Sequence, residues 1–310
     1  MKIVFHTAAG PDLTARLAAI PGLEIAICAE DDDARLATLL LDCDVLWHVL
    51  KRCTAEMIAA APKLRLIQKI GVGVNTIDLD AAKTRGIPVC NLPGTNARAV
   101  AELALALMLA VLRRIPRFDA SLRSGTWIDP ALQDGLGELG GRTVGLVGFG
   151  AIPRILSPIL TAMGCEVLYT ARSTKADSGA RFVPLNTLLE QSDIVSLHIP
   201  LTPETERTID ATALGRMKKG AILINTARGG LTDQSALTSA LRSGHMGGAG
   251  LDVFLDEPVQ PGDALLSLDN VVITPHIAWI TTGTFDRSFA LAAENCRRVA
   301  AGEALLHRVV

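Results

Sequence analysis

One stretch, Arg142 to Lys175 (RTVGLVGFGAIPRILSPILTAMGCEVLYTARSTK), limits what this chain can fold into more than any other. Thr143–Val147 is short and apolar, as a strand buried on both faces of a parallel sheet must be. Gly148-Phe149-Gly150 follows, and then an apolar helical segment from about Ile152 to Met163. Gly164 closes that helix where a left-handed cap is needed. Glu166–Tyr169 is the second strand. Gly148 permits the tight turn, and Gly150 lets an anion approach the backbone at the helix N-terminus, near Ala151 and Ile152. A glycine pair set in a strand–turn–helix–strand unit of this length implies dinucleotide binding by Gly148, Phe149, Gly150, Ala151 and Ile152. Two prolines depart from the pattern. Pro153 stands where the third glycine is expected and is tolerable in a first helical turn. Pro158 falls inside the helix and should remove one hydrogen bond and kink it.

The end of the second strand selects the dinucleotide. A site for NAD places Asp or Glu there to accept hydrogen bonds from the ribose hydroxyls. Here the strand runs into Tyr169-Thr170-Ala171-Arg172-Ser173-Thr174-Lys175, with no carboxylate before Asp177. A carboxylate would repel a 2′-phosphate, whereas a guanidinium with neighbouring hydroxyls would hold it. Thr170, Arg172 and Ser173 therefore favour NADP(H), with NAD(H) possible.

A chain of 310 residues, 49% hydrophobic and only 20% charged, can bury one large core or two smaller ones. A net charge of −2 argues against nucleic acid or an anionic membrane surface as the main partner. No apolar run is long enough to span a membrane. The N-terminal MKIVFHTA begins directly with a strand, so no signal peptide is expected. The six cysteines stand singly and form no metal-ligand spacing, so no metal site is expected. Reduced, buried thiols in a cytoplasmic protein are the expectation.

Strands and helices alternate from Lys2 to Asn91, describing a small parallel α/β domain. Its fourth strand, Leu64–Lys69, runs into Ile70-Gly71-Val72-Gly73-Val74-Asn75, whose amides at Val72 and Gly73 could bind an anion such as a carboxylate or form a plain turn. His48 ends another strand and is a candidate substrate contact. Pro93-Gly94-Thr95-Asn96 interrupts the pattern. An apolar helix follows from Ala97 to about Arg114, capped by Thr95 or Asn96 and expected to be buried on nearly all sides, with part in a subunit interface. Arg117–Trp127 reads as an amphipathic helix and 128–141 as a loop. Beyond Lys175 strands recur at Asp193–His198, Ala221–Asn225, Gly247–Asp252 and Val271–Thr274. A long helix, Phe285–Ala301, is expected to return to the first domain.

In a doubly wound sheet, ligands bind beyond the carboxyl ends of the strands. Arg228, Glu257 and His276 fall there in successive units. Arg228 can grip a carboxylate at two points and polarise a neighbouring carbonyl. His276 can give a proton to the carbonyl oxygen as hydride reaches the carbon, or take it back in reverse. Glu257 beside the imidazole would favour its charged form and fix its orientation. The combination suits hydride transfer between a nicotinamide and a small 2-oxo or 2-hydroxy acid.

Over nearly its whole length the sequence resembles the D-isomer-specific 2-hydroxyacid dehydrogenase family. The matching pieces are KIGVGVNTID (69–78), PGTNARAVAE (93–102), GLVGFGAI (145–152), LHIPLTPET (197–205), INTARGG (224–230), GLDVFLDEP (250–258) and TPHIAW (274–279). The resemblance implies two Rossmann-like or flavodoxin-like α/β domains with parallel sheets and a cleft between them. The dinucleotide domain would span 97–277, and a discontinuous substrate domain 1–96 and 278–310. It implies the catalytic set Arg228, Glu257 and His276, carboxylate binding by Val72 and Gly73, and a contact of Asp252 with the nicotinamide carboxamide. With the strand-end motifs go further cofactor contacts at His198, Pro200, Thr205, Thr226, Ala227, His276 and Ala278. Family members are typically homodimers through the nucleotide domain. The TPHIAW ending resembles glycerate dehydrogenases and hydroxypyruvate or glyoxylate reductases, and the loop at 170–175 their NADPH-using members. Formate dehydrogenases of the family carry glutamine where Glu257 stands. The end at Val310 leaves no room for the regulatory domain of long phosphoglycerate dehydrogenases. The expected activity is reduction of a small 2-oxo acid such as glyoxylate or hydroxypyruvate. The rivals are an NAD-linked dehydrogenase for a larger 2-hydroxy acid, its pocket set near His48, Val72, Trp127 and Trp279, and a dinucleotide-sensing, corepressor-like binding protein.

Overall fold

The computed structural model describes residues 1–176 and 178–310. Asp177, the first carboxylate after the second nucleotide strand, lies outside the described residues. The chain forms two compact units, Met1–Asn96 with Thr281–Val310, and Ala97–Ile280.

The first unit opens with β1 (Lys2–His6), α1 (Pro11–Ala18), β2 (Glu24–Cys28), α2 (Asp33–Leu40) and β3 (Val45–His48). It continues with α3 (Ala55–Ala59), β4 (Leu66–Lys69), α4 (Leu79–Thr84) and β5 (Val89–Cys90). Side chains of Asp32, Thr54 and Asp78 cap α2, α3 and α4, each accepting from a first-turn amide. All the strand pairs are parallel, in the order β2-β1-β3-β4-β5. The winding direction switches between β1 and β3, which aligns His6, His48 and Lys69 along the carboxyl edge.

The second unit begins with three helices, α5 (Ala97–Arg113), α6 (Ile115–Arg123) and α7 (Pro130–Gln133). Next come β6 (Thr143–Val147), α8 (Ala151–Ala162), β7 (Glu166–Thr170), β8 (Arg181–Phe182), α9 (Leu185–Gln191) and β9 (Ile194–Leu197). It closes with α10 (Ala211–Arg216), β10 (Ala221–Asn225), α11 (Gln234–Arg242), β11 (Met246–Leu251) and β12 (Val271–Ile273). The strands are again parallel, in the order β12-β11-β10-β9-β6-β7-β8. The switch point lies between β6 and β9, so the glycine turn after β6 and the loops after β9, β10 and β11 open on one edge.

The last helix, α12 (Thr282–Ala301), belongs to the first unit. It starts earlier than the expected Phe285 because the Thr281 side chain caps it, accepting from the Thr284 amide. Phe289 stacks on Trp47 at 5.6 Å, and Phe5 meets both rings edge-on. Asn295 donates to Gln68 Oε1 at 2.8 Å, satisfying two buried amides together.

Several local expectations need correction. Within the single chain α5 buries Ala101, Ala104, Leu107, Met108 and Leu112, while Glu102 and Ala106 are exposed and Leu103, Leu105 and Leu109 half-buried. The Thr95 hydroxyl does not reach α5, because it donates to the Leu92 carbonyl and accepts from Ser288. The amphipathic helix ends at Arg123, none of its residues is buried, and Trp127 beyond it is 80% exposed. The 128–141 segment contains the short α7, begun by the Asp129 cap. Pro158 lies inside α8 as expected, on its exposed side, where the freed carbonyl can be hydrated.

Candidate active site

At the carboxyl end of β6, Gly148 has φ 98° and donates to the Thr170 carbonyl at 2.9 Å. A Cβ at Gly148 would lie 2.5 Å from the His198 carbonyl oxygen, so only glycine fits. Gly150 supplies no side-chain cap to α8, and a Cβ there would meet nothing within 4 Å. Arg154 N–H is taken by the Gly150 carbonyl and Pro153 has no N–H, so Ala151 and Ile152 keep the first-turn amides. Arg154 holds its guanidinium 5.7 Å from the Phe149 ring centre. A cation in a helix's first turn opposes the helix dipole unless an anion sits there, a signal that the sequence reading passed over. At the ends of β9 and β10, His198 Nδ1 and Thr226 Oγ1 are buried without a hydrogen-bond partner among the described residues. Orphaned polar atoms beside an uncapped helix N-terminus and an open glycine fit a bound dinucleotide.

Not every expected cofactor contact faces that space. Phe149 is buried against Tyr169, their ring centres 4.3 Å apart, so its side chain is core and only its backbone belongs to the turn. The Thr205 hydroxyl is committed to its own loop, donating to the Pro200 carbonyl and accepting from the Thr202 amide. Asp252 is fully buried, and its carboxylate accepts from Thr274 Oγ1, Ile277 N and Ala278 N at 2.6–2.9 Å. Burial holds the Asp252 carboxyl above the ordinary range, against the pull of these donors. Asp252 thus anchors the loop that carries His276, and it also engages the Ala278 amide expected to meet the cofactor. His198 pairs Nε2 with Ser196 Oγ at 2.9 Å, and burial lowers the ring's pKa to about 4.

The end of β7 leaves Thr170 half-buried and Arg172 and Ser173 exposed. Among the described residues Arg172 makes no hydrogen bond or ion pair. Lys175 donates to Ser173 Oγ at 3.0 Å.

The loops after β10, β11 and β12 bring Arg228, Glu257 and His276 together. Asn225 shapes the first: its Oδ1 accepts from the Ala227 amide, and its Nδ2 donates to the Arg228 carbonyl. Arg228 is half-buried and donates to the Ala227 carbonyl at 2.6 Å. Burial depresses its ionisation, and the Glu257 charge opposes that. A Cβ at Gly229 would lie 1.9 Å from the Phe254 carbonyl oxygen, so glycine lets the Arg228 loop press on the loop leading to Glu257. Glu257 Oε1 accepts from the Phe254 amide at 2.9 Å. Glu257 Oε2 lies 2.6 Å from His276 Nδ1, with the two side chains 32% and 16% exposed. Burial favours the neutral acid, but the hydrogen bond and charge of His276, the Phe254 amide and Arg228 together hold the Glu257 carboxyl below its ordinary value. Gln234, which the sequence reading did not single out, accepts from the Leu255 amide and donates to Asp263. His276 has φ 55°, with its amide on the Asp252 carbonyl at 2.8 Å. Its Nδ1 is held by Glu257, and Nε2 has no partner among the described residues. This is a carboxylate–imidazole pair with one nitrogen left for proton exchange, beside a half-buried guanidinium.

In the first unit, Asn91 Nδ2 supports the Val72 carbonyl at 2.8 Å and the Leu92 amide supports that of Gly71. The amides of Val72 and Gly73 meet no acceptor among the described residues. Val72 is 42% exposed. His48, in contrast, is fully enclosed, with Nε2 2.6 Å from the Lys51 carbonyl and Nδ1 3.5 Å from Lys69 Nζ. Burial, then Lys69, push its pKa well below the ordinary value. His48 is a support within the sheet edge, not a direct substrate contact. No cluster of candidate metal ligands occurs among the described residues.

Residues 105–278 match the family model described as the NAD binding domain of D-isomer specific 2-hydroxyacid dehydrogenases. The chain is 40% identical over 298 residues to the D-3-phosphoglycerate dehydrogenase of Mycobacterium leprae, covering 95% of this chain and 52% of that protein. It thus spans about half the length of that relative. The glyoxylate reductase of Korarchaeum cryptofilum is 42% identical over 270 residues, with 84% and 81% of the two chains covered. Among solved structures, the TT0316 protein of Thermus thermophilus superposes with a TM-score of 0.89 at 40% identity, with 100% of each chain covered. By its residues, its two parallel-sheet units and these similarities, the chain belongs to the D-isomer-specific 2-hydroxyacid dehydrogenase family.

Proposed function

We propose that this protein reduces a small 2-oxo acid, glyoxylate or hydroxypyruvate, to the D-2-hydroxy acid with NADPH. The observation that carries this reading is the 2.6 Å pair between His276 Nδ1 and Glu257 Oε2 in the loops beside Arg228. Arg228 grips the substrate carboxylate and draws electron density toward the carbonyl oxygen. His276 Nε2 delivers a proton to the carbonyl oxygen, and Glu257 stabilises the imidazolium before that transfer and keeps Nε2 turned outward. The nicotinamide, when bound, supplies the hydride. Ala151, Ile152 and Arg154 would hold its pyrophosphate, with Thr226 and His198 at the strand ends, and Arg172 with Thr170 and Ser173 the 2′-phosphate. Ala97–Ile280 is accordingly the dinucleotide domain, and the other unit the substrate domain.

The exposed apolar residues Ile115, Leu122, Trp127 and Ile128 form a run that we assign to a homodimer interface. Six buried, unpaired cysteines support a reducing compartment such as the cytoplasm. No helix among the described residues is long and apolar enough to cross a membrane. The similarity to a D-3-phosphoglycerate dehydrogenase over 95% of this chain favours a second reading, an NAD-linked enzyme for a larger 2-hydroxy acid.

Initial rates of NADPH and NADH oxidation with glyoxylate, hydroxypyruvate and a phosphorylated three-carbon 2-oxo acid separate the two. Fast turnover of the small acids with NADPH supports the first reading. Preference for NADH and the phosphorylated acid replaces it with the second.

A further inference from the structure

The chain contains a single tyrosine, Tyr169, the penultimate residue of β7. Its position inside an apolar strand suggests only core packing, and its ring does pack: the centre lies 4.3 Å from that of Phe149 and 5.5 Å from that of Phe182. The residue is 1% exposed, yet its hydroxyl is not spent on the core. It accepts from the Lys175 amide at 2.8 Å and lies 3.4 Å from the Lys175 carbonyl oxygen, to which it donates. Both backbone groups of one residue are thus held by one buried hydroxyl. At the other end of the same loop, the Thr170 carbonyl accepts from the Gly148 amide. Residues 170–175 are therefore fastened at both ends, once to the glycine turn and once to Tyr169. Between the two ties Arg172, Ser173 and Thr174 project exposed.

From this geometry we infer that Tyr169 is a positioning residue for 2′-phosphate recognition, and that its hydroxyl pre-orders the Thr170–Lys175 loop so that Arg172 and Ser173 need little rearrangement to bind. The inference rests on the NADPH reading above and adds the residue that sets its selectivity. An anion held by a mobile guanidinium and hydroxyl costs ordering entropy on binding, and a loop closed beforehand has already lost it. The tie acts on the loop backbone and not on the adenosine or nicotinamide, so its loss should penalise only ligands carrying the 2′-phosphate. Phenylalanine keeps the ring contacts with Phe149 and Phe182 and removes only the hydroxyl. A buried hydrogen bond of this kind is worth roughly 1 kcal/mol, or about five- to tenfold in an affinity that depends on it.

The test is Tyr169→Phe in the full chain, with Arg172→Ala as the comparison. Dissociation constants for 2′,5′-ADP, 5′-AMP, NADPH and NADH are measured by calorimetry, and amide exchange over 170–176 by mass spectrometry. The expected result is an approximately five- to tenfold weaker Kd for 2′,5′-ADP and NADPH, changes under twofold for 5′-AMP and NADH, and faster exchange in the loop. Equal weakening of all four ligands, or unchanged affinity for the two that carry a 2′-phosphate, overturns the inference. If wild-type protein binds 2′,5′-ADP no better than 5′-AMP, the NADPH reading itself fails, and this inference with it. If wild type discriminates and Arg172→Ala abolishes the discrimination while Tyr169→Phe retains it, the inference alone fails.

Discussion

Replacing Glu257 with glutamine isolates the charge that faces His276. Glutamine keeps the length of the side chain, and its amide oxygen can still accept from the Phe254 amide, now 2.9 Å from Oε1. The loop should therefore hold, while the 2.6 Å contact with His276 Nδ1 loses its negative partner. A hydrogen bond to a charged group contributes about 1.5–3 kcal/mol. The pair is only partly shielded, at 16% and 32% side-chain exposure, so the full low-dielectric Coulomb figure does not apply. At about 1.36 kcal/mol per tenfold in rate, the loss slows reduction by about 10–100-fold. The assay is kcat/KM for reduction of glyoxylate by wild type and variant, with the dissociation constant for NADPH measured in parallel. Glu257→Gln should reduce glyoxylate about 10–100-fold more slowly while binding NADPH within twofold of wild type. Equal rates, or a matching loss of NADPH affinity, would refute the reasoning.

Two further outcomes follow from named groups. Arg172→Ala should weaken NADPH at least about tenfold and NADH less than twofold, since a charge-assisted contact to a phosphate is lost only in the first case; paired binding titrations check this. Burial lowers the His198 pKa from its ordinary 6.5 to about 4, and although the residue keeps slight exposure, Nδ1 itself is enclosed. Between those two values the unfolded chain binds the proton that the folded chain refuses. The group's penalty is absent above pH 6.5 and grows as pH falls, reaching about 3 kcal/mol near pH 4. Denaturant unfolding of His198→Asn should accordingly show a shallower loss of stability than wild type over that window, and parallel slopes would contradict the burial argument.

How much was legible depended on whether a residue's job is local. The glycine turn could be read because Gly148 must adopt φ 98° beside the His198 carbonyl, and no other residue type would fit. Arg228, Glu257 and His276 could be read because strand ends are fixed by hydrophobic pattern, and the parallel order places those ends on one edge. Gln234 could not, because its partners Leu255 and Asp263 are more than 20 residues away and its own surroundings are those of any helix start. The hold of Asp252 on the 274–278 loop was hidden for a related reason: its acceptors face donors placed there by the pairing of β11 with β12. His48 stands at a strand end like the proposed catalytic residues, but Lys69 and the Lys51 carbonyl enclose it, and position along a strand does not report enclosure. The exposed Trp127 marks the same limit, since apolar periodicity describes a face without saying what covers it.

The most direct test of the central claim, that His276 transfers the proton in a 2-oxo acid reduction, is single-turnover oxidation of NADPH with glyoxylate and hydroxypyruvate by wild type and His276→Ala. Dinucleotide affinity is measured in parallel. The account predicts rapid turnover by wild type and a loss of at least about 100-fold in the variant, with the dissociation constant for NADPH within twofold. Equal rates in the two proteins, or no reduction of either acid by wild type, would contradict it.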